Sequence, residues 1–223
     1  MSNNKAKIAL IADDHVLYRC GLSLFLTDRL GFGQVLEAGT LDEALDCLEK
    51  KPGIDLALID LSMPGMRGGT CLAEIRAQFP NSKFAVVSAS EDKADVLAAI
   101  DAGFNGFMSK SLSNVHIAGA IRDILDGGIY IPTNLMTNTK SRQYQAADQP
   151  SLQTERSPPV SANAAKTLLT ARQNEVFDLA CEGLSNKEIG DRLGISEGTV
   201  KVHISAMLTI LRLRNRAEFL SLR

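Results

Sequence analysis

The sequence predicts an α/β doubly wound sheet of five parallel strands, followed by a small all-α domain of four helices. Three observations point there. Short apolar runs alternate with helix-period segments over residues 1–132, a polar stretch rich in Gln and Pro interrupts the pattern, and residues 166–223 carry only helical periods punctuated by capping residues. A chain of 223 residues is comfortable for two domains. Its 45% hydrophobic content is enough to build cores, which excludes a disordered or fibrous chain.

Lys7–Ala12, Val35–Ala38, Ile54–Ile59, Phe84–Val87 and Gly106–Met108 read as strands, and segments 15–29, 41–50, 69–79, 92–102 and 114–126 as the helices that follow them. Ile8, Leu10 and Ile11, then Leu56, Leu58 and Ile59, are nearly continuous apolar runs, as expected of parallel strands covered by helices on both faces. A sheet built this way carries its site outside the carboxyl ends of its strands.

Residues 133–165 hold Gln143, Gln145, Gln149, Gln153, Pro150, Pro158 and Pro159 without apolar periodicity, the composition of a flexible linker. An irregular loop packed on one domain is the alternative. Beyond it, Thr170 can cap a helix with Gln173 in its first turn and Gly183 as its stop. Ser185 and Glu188 form a capping-box pattern, and Gly194-Ile195 a tight turn. Ser196 caps a longer helix whose Val200, Ile204, Met207, Leu208 and Leu211 make a buried stripe. Asn215 with Glu218 suggests a fourth helix. Two helices joined by a tight Gly turn, the second polar on its outward face, have the geometry of a helix-turn-helix.

No run approaches the roughly 20 apolar residues of a membrane helix, and Met1–Lys7 is polar with no signal-peptide core behind it, so a cytoplasmic protein without a membrane partner is expected. Cys20, Cys47, Cys71 and Cys181 lie far apart with no His at ligand spacing, which fits neither zinc nor a disulfide framework; each reads as a small buried apolar residue. Residues 1–132 hold 12 basic and 17 acidic side chains, and residues 166–223 hold 9 and 7, so the second domain is the more basic.

The strand ends carry the chemistry. Asp13 and Asp14 follow the first strand, Asp60 closes the third, Ser88 closes the fourth, and Lys110 stands just after the fifth. Parallel strands point these ends one way, so the residues converge on one mouth. Three carboxylates there repel one another unless a cation sits among them. Mg²⁺ suits such a site, because it binds through few carboxylates and bridges to phosphoryl oxygens. With Lys110 as a compact positive charge and Ser88 as a hydroxyl donor, the set suits phosphoryl transfer to a carboxylate. Taken singly, each residue reads as a turn, cap or loop residue; the joint pattern at four strand ends carries the argument.

Asp13-Asp14, Leu58-Ile59-Asp60-Leu61-Ser62-Met63-Pro64-Gly65-Met66, Ser88-Ala89 and Lys110 resemble the motifs of two-component receiver domains, over about residues 5–128. The resemblance implies the flavodoxin-like receiver fold. It makes Asp60 the phosphoacceptor, Asp13, Asp14, Asp60 and the Ser62 backbone carbonyl the Mg²⁺ ligands, and Ser88 and Lys110 the phosphoryl contacts. Phe107 falls at the switch aromatic that moves inward as Ser88 is drawn to the phosphate; a plain core aromatic is the alternative. Ser111 stands where many receivers have Pro after the lysine.

On the last long helix, Lys201 can reach a base edge or a phosphate, Val202 can pack on a thymine methyl, and the amides near Thr199 can hold a phosphate; Ser205 shares that face. A small helical bundle for protein contacts is the alternative. Leu169–Val176, Gly183–Ile189 and Gly198–His203 are similar to the LuxR-type (NarL/FixJ) DNA-binding domain, over about residues 166–223. By position, that resemblance gives Lys201 and Val202 to the major groove and Lys187 and Thr199 to phosphates. Ser205 departs from members with a basic or amide side chain there. His203 reads as a partly buried helix residue.

The two resemblances together imply a response regulator: a sensor histidine kinase phosphorylates Asp60, and the C-terminal domain binds double-stranded DNA as a homodimer, with RNA polymerase as a further partner. Phosphorylation would relieve occlusion of the recognition helix or promote dimerisation. Two rivals stand beside this. One is a regulator that ignores phosphorylation and uses its receiver for dimerisation or ligand binding. The other is a Mg²⁺-dependent phosphohydrolase, which needs a second acid two residues after the nucleophile, where this chain has Ser62.

Overall fold

The computed structural model describes residues 6–66, 69, 71–89, 92–132 and 166–222, so the segment read as a linker lies outside the described residues. Five strands, β1 (Lys7–Ala12), β2 (Phe32–Ala38), β3 (Leu56–Ile59), β4 (Lys83–Ser88) and β5 (Gly106–Ser109), form one parallel sheet in the order β2-β1-β3-β4-β5. Between and after them run α1 (Val16–Leu30), α2 (Leu41–Lys50), α3 (Leu72–Gln78), α4 (Lys93–Asp101) and α5 (Asn114–Leu125). The doubly wound sheet is therefore as the sequence predicts.

β1, β3, β4 and β5 bury both faces along most of their length, edge strand β2 is buried only at its two ends, and the two faces feed separate cores. Leu10, Ala12, Ala57, Ile59, Phe84, Val86 and Phe107 pack with α2, α3 and α4. Ala9, Ile11, Leu56, Leu58, Ala85, Val87 and Met108 pack with α1 and α5. Burial of each such aliphatic or aromatic side chain is worth about 1.5–3 kcal/mol. β4 extends beyond its expected limits to Lys83 and Ser88 and β5 to Ser109, and two strand starts move for visible reasons. β2 begins earlier, at Phe32, since an edge strand paired only with β1 tolerates Gly33 and Gln34. β3 begins later, at Leu56, where the Asp55 carboxylate accepts from the Ile8 amide at 2.7 Å beside the ladder.

The second domain contains α6 (Ala171–Cys181), α7 (Asn186–Leu193), α8 (Glu197–Ile210) and a closing 3-10 helix (Arg216–Leu222). Of the three sequence-readable N-caps, two are complete capping boxes, Thr170 with Gln173 and Ser185 with Glu188, and Ser196 accepts from the Thr199 amide. Gly194 ends α7 in the left-handed region, which makes the tight turn into α8. The core is Val176, Phe177, Ile189, Val200, Met207 and Phe219, with the Phe177 and Phe219 rings edge to face at 5.5 Å.

Three expectations are corrected. The fourth helix is a 3-10 helix rather than an α-helix: Glu218 bonds back to Asn215 in the tighter i→i+3 pattern, and Arg216 is tied to the Leu184 carbonyl and Asn186. Leu208, at the edge of the α8 stripe, is half-buried. Of the four cysteines only Cys71 and Cys181 are buried; Cys47 is half-buried and Cys20 is exposed on α1.

Candidate functional site

The sheet register assembles the acidic mouth. Asp60 donates its amide to the Ala12 carbonyl at 2.8 Å and Asp13 donates to the Ala38 carbonyl at 2.9 Å, so the first acid after β1 and the acid after β3 stand side by side. Across the sheet, the Lys110 amide donates to the Ser88 carbonyl at 2.8 Å. That bond brings the lysine back over the acids: its Nζ lies 2.6 Å from Asp13 Oδ2 and 2.9 Å from Asp60 Oδ2. Asp13 and Asp60 are each 1% exposed, whereas Asp14 faces solvent. Burial works against the Lys110 ammonium, but its contacts with both carboxylates outweigh it and hold its pKa above the ordinary lysine value.

One oxygen from each of Asp13, Asp14 and Asp60, with a His15 ring nitrogen, lies within 4.8 Å of the others, a group that can hold a metal ion. Ser62 sits two residues past Asp60 and donates its amide to Asp60 Oδ1 at 3.1 Å. Ser88 is buried at the end of β4, and Phe107 is fully buried in the middle of β5, already on the inner side. The Lys110–Ser111 bond is trans.

Three residues of this mouth escaped the sequence reading: His15, whose ring nitrogen stands among the acids, and two on α1. Tyr18 lies under Lys110, with the ammonium 5.1 Å from its ring centre; burial, then Asp13 and Asp60, push its phenol up to about 12. Arg19 donates to the Asp13 backbone carbonyl and pairs with Glu37 at 3.4 Å, which steadies the first acidic turn. Both are ordinary α1 residues by spacing, and only the fold turns them inward.

The second predicted site lies against the first domain. Lys187 and Lys201 are exposed and Ser205 is half-buried, but Thr199 is 2% exposed and Val202 is 0% exposed. Val202 and Ala206 belong to the same apolar cluster as Leu41, Leu45, Leu72 and Ile75, so α8 packs on α2 and α3. Gly198 marks the closest approach, where any Cβ would meet the Gln78 side chain at 1.6 Å. Polar bonds frame the contact. Gln78 donates to Ser196 Oγ at 2.8 Å, Thr170 Oγ1 donates to Asp42 Oδ2 at 2.7 Å, and the Thr199 hydroxyl donates to Glu49.

Gln173, fully buried, donates to the carbonyl of Gly65 at 2.9 Å, in the loop that follows Asp60. Gly65 holds φ +88, and a Cβ there would stand 2.9 Å from Leu41. His203 is more buried than expected, at 1% exposed; burial first, then Arg172, lowers its pKa to about 4. A cleft of about 590 Å³ separates the mouth from Leu168, Leu169 and Thr170, lined on the receiver side by Asp14 and Leu61–Met66.

The profile described as the response regulator receiver domain matches residues 9–122, and that of the bacterial regulatory proteins of the luxR family matches residues 167–222. The glycerol metabolism activator of Pseudomonas putida is 37% identical over 212 residues, covering 94% of this chain and 91% of that protein. The nitrate/nitrite response regulator NarL of Escherichia coli K12 is 29% identical over 223 residues, with 98% and 95% coverage. This chain belongs to the NarL/FixJ family of response regulators.

For this response regulator, solved structures add the fold. A LuxR-family response regulator from Aurantimonas superposes with a TM-score of 0.54 at 25% identity, over 60% of this chain and 94% of that one. A structure of RcsB dimers bound to DNA superposes over 98% of both chains with a TM-score of 0.56 at 20% identity, a likeness of fold. The mouth thus belongs to the receiver, and α7 with α8 to the LuxR-type DNA-binding domain of a transcriptional regulator. Among the described residues, no helix is long and apolar enough to cross a membrane.

Proposed function

We propose that a sensor histidine kinase transfers a phosphoryl group to Asp60 in the presence of Mg²⁺, and that this transfer releases α8 to bind double-stranded DNA as a homodimer in the cytoplasm. The observation that carries this reading is the pairing of a complete acidic mouth with a buried reading face: Asp13, Asp60 and Lys110 within 2.9 Å on one side, Val202 and Thr199 buried on the other.

The donor set fits Mg²⁺. Hard carboxylate oxygens predominate, two of the acids are almost wholly buried, and three carboxylates against one ammonium leave a surplus of two negative charges. Asp13, Asp14, Asp60 and the Ser62 carbonyl would hold it, and it would supply charge neutralisation at phosphoryl oxygens. An Asp60 carboxylate oxygen attacks phosphorus, the bond to the kinase imidazole nitrogen breaks, and that nitrogen keeps the electron pair. Lys110 moves from pairing two carboxylates to pairing the new phosphoryl oxygens, and the Ser88 hydroxyl turns toward them with Phe107 packed behind it. The receiver acts on its own aspartate and turns over no separate substrate.

In the released domain, Lys201, Val202 and Ser205 face the major groove, Lys187 and Thr199 meet phosphates, and RNA polymerase is the further partner of a DNA-bound dimer. Intact mass after incubation with Mg²⁺ and acetyl phosphate, followed by sizing, tests the reading. A Mg²⁺-dependent gain of one phosphoryl group in wild type but not in Asp60→Asn, with a shift toward dimer, is expected. No gain in either protein overturns it, and an Asp60→Asn protein with unchanged dimerisation and DNA response would favour phosphorylation-independent regulation.

A further inference from the structure

The receiver helix that covers α8 is acidic where it meets the DNA-binding domain. Asp42 and Glu49 stand seven residues apart on α2, two helical turns, and so share one face about 10 Å long. Each carboxylate ends at the N-terminus of a helix in the other domain. Asp42 accepts from Thr170, the N-cap of α6. Glu49 accepts from the backbone amide of Ser196 at 3.4 Å and from the Thr199 hydroxyl, the N-cap and first turn of α8. A helix N-terminus with free amides and hydroxyls is an anion site, and DNA phosphates are the anions that helix-turn-helix proteins place there.

We infer that α2 is a phosphate mimic: Glu49 occupies, in the closed chain, the anion position that a DNA backbone phosphate takes in the open one. The inference rests on the closed-to-open reading above and deepens it. The receiver then inhibits not by bulk alone but by claiming the same donors, Ser196 N–H and Thr199 Oγ1, so carboxylate and phosphate exclude each other.

Two substitutions in the full, unphosphorylated chain separate charge mimicry from steric cover. Glu49→Gln keeps the shape and removes the charge at the donors. Asp46→Asn removes one charge from the same face of α2, beside His203 and Thr199, but Asp46 is exposed, pairs with Lys50 at 2.9 Å and bonds to none of the α8 donors, so it reports the effect of nearby charge alone. Binding to a random-sequence duplex of about 20 base pairs, followed by fluorescence anisotropy at fixed low salt, reads the open fraction, because apparent affinity scales with it. Glu49→Gln is expected to tighten binding about fivefold and Asp46→Asn less than twofold. Equal gains in both variants, or no gain from Glu49→Gln, would overturn the mimic. Repeating the titration after acetyl phosphate treatment keeps the two readings apart. If phosphorylation does not tighten wild-type binding, the switch reading fails, while the comparison of Glu49→Gln with Asp46→Asn still decides the mimic.

Discussion

At the mouth of the sheet, two buried carboxylates share one ammonium at 2.6 and 2.9 Å; at the face of α8, the buried His203 and the half-buried Asp42 stand 3.6 Å apart, and neither the His Nδ1 nor the Asp Oδ1 has a hydrogen-bond partner. Both surfaces bury polar groups, yet the mouth closes its charges at ion-pair distances under 3 Å while the His203–Asp42 pair stands too far apart to hydrogen-bond. A buried polar atom left unpaired costs about 1–3 kcal/mol. The mouth is fixed by strand register, and under the proposed function it holds that geometry through a chemical step. Under the same proposal the α8 face is an interface that parts, and imperfect pairing keeps the closed form from being too deep a well.

The largest effect expected is at the mouth. Asp60→Asn should abolish phosphorylation outright, read as the missing phosphoryl mass, while leaving the closed α8 contact in place. Next, Lys110→Met removes the ammonium shared by two almost fully buried acids and should cost about 3 kcal/mol in a urea titration with chelator present, with Mg²⁺ restoring much of it. A loss below about 1 kcal/mol would show that solvent already screens the pair.

The α8 face should respond to acid. His203 unfolded takes up its proton near 6.5 and folded only near about 4, so between those values the unfolded chain binds more protons and stability falls as pH falls. The expected loss from pH 7 to 4.5 is about 2 kcal/mol. Asp42, pushed upward by burial, takes up its proton earlier in the folded chain and offsets part of the loss in the carboxylate range. His203→Gln should flatten the slope above pH 5, and an unchanged slope would remove His203 from the account. Smallest of all, Gln173→Ala deletes the bond to Gly65 and half of a capping box, and should lower stability by about 1 kcal/mol in the same urea titration.

The difference between the two regions also governs what could be read from the chain. Asp13, Asp60, Ser88 and Lys110 were legible because parallel strands point their carboxyl ends one way, a rule that needs only strand positions. The caps at Thr170, Ser185 and Ser196 were legible for a similar reason, since each partner lies three residues on. The burial of Val202 was not. Periodicity marks a face as apolar or polar, but what covers a mixed face is decided by a domain more than 100 residues away, and Glu49 and Gln78 carry no local mark of that role. Tyr18 and Arg19 were hidden likewise, because an amphipathic helix tells which side is buried and not which side chains bend toward a mouth.

The bond from Gln173 to Gly65 has a consequence for how such chains recombine. Gly65 lies five residues past Asp60, in a loop that the second domain grips directly, while Asp42 and Glu49 grip it from α2. Receiver and output domain therefore form a matched pair rather than interchangeable cassettes. A receiver transplanted onto a foreign output module would still accept its phosphoryl group, but without counterparts of Gln173, Thr170 and Thr199 the graft would leave the module permanently unrestrained, a signal received with nothing left to release.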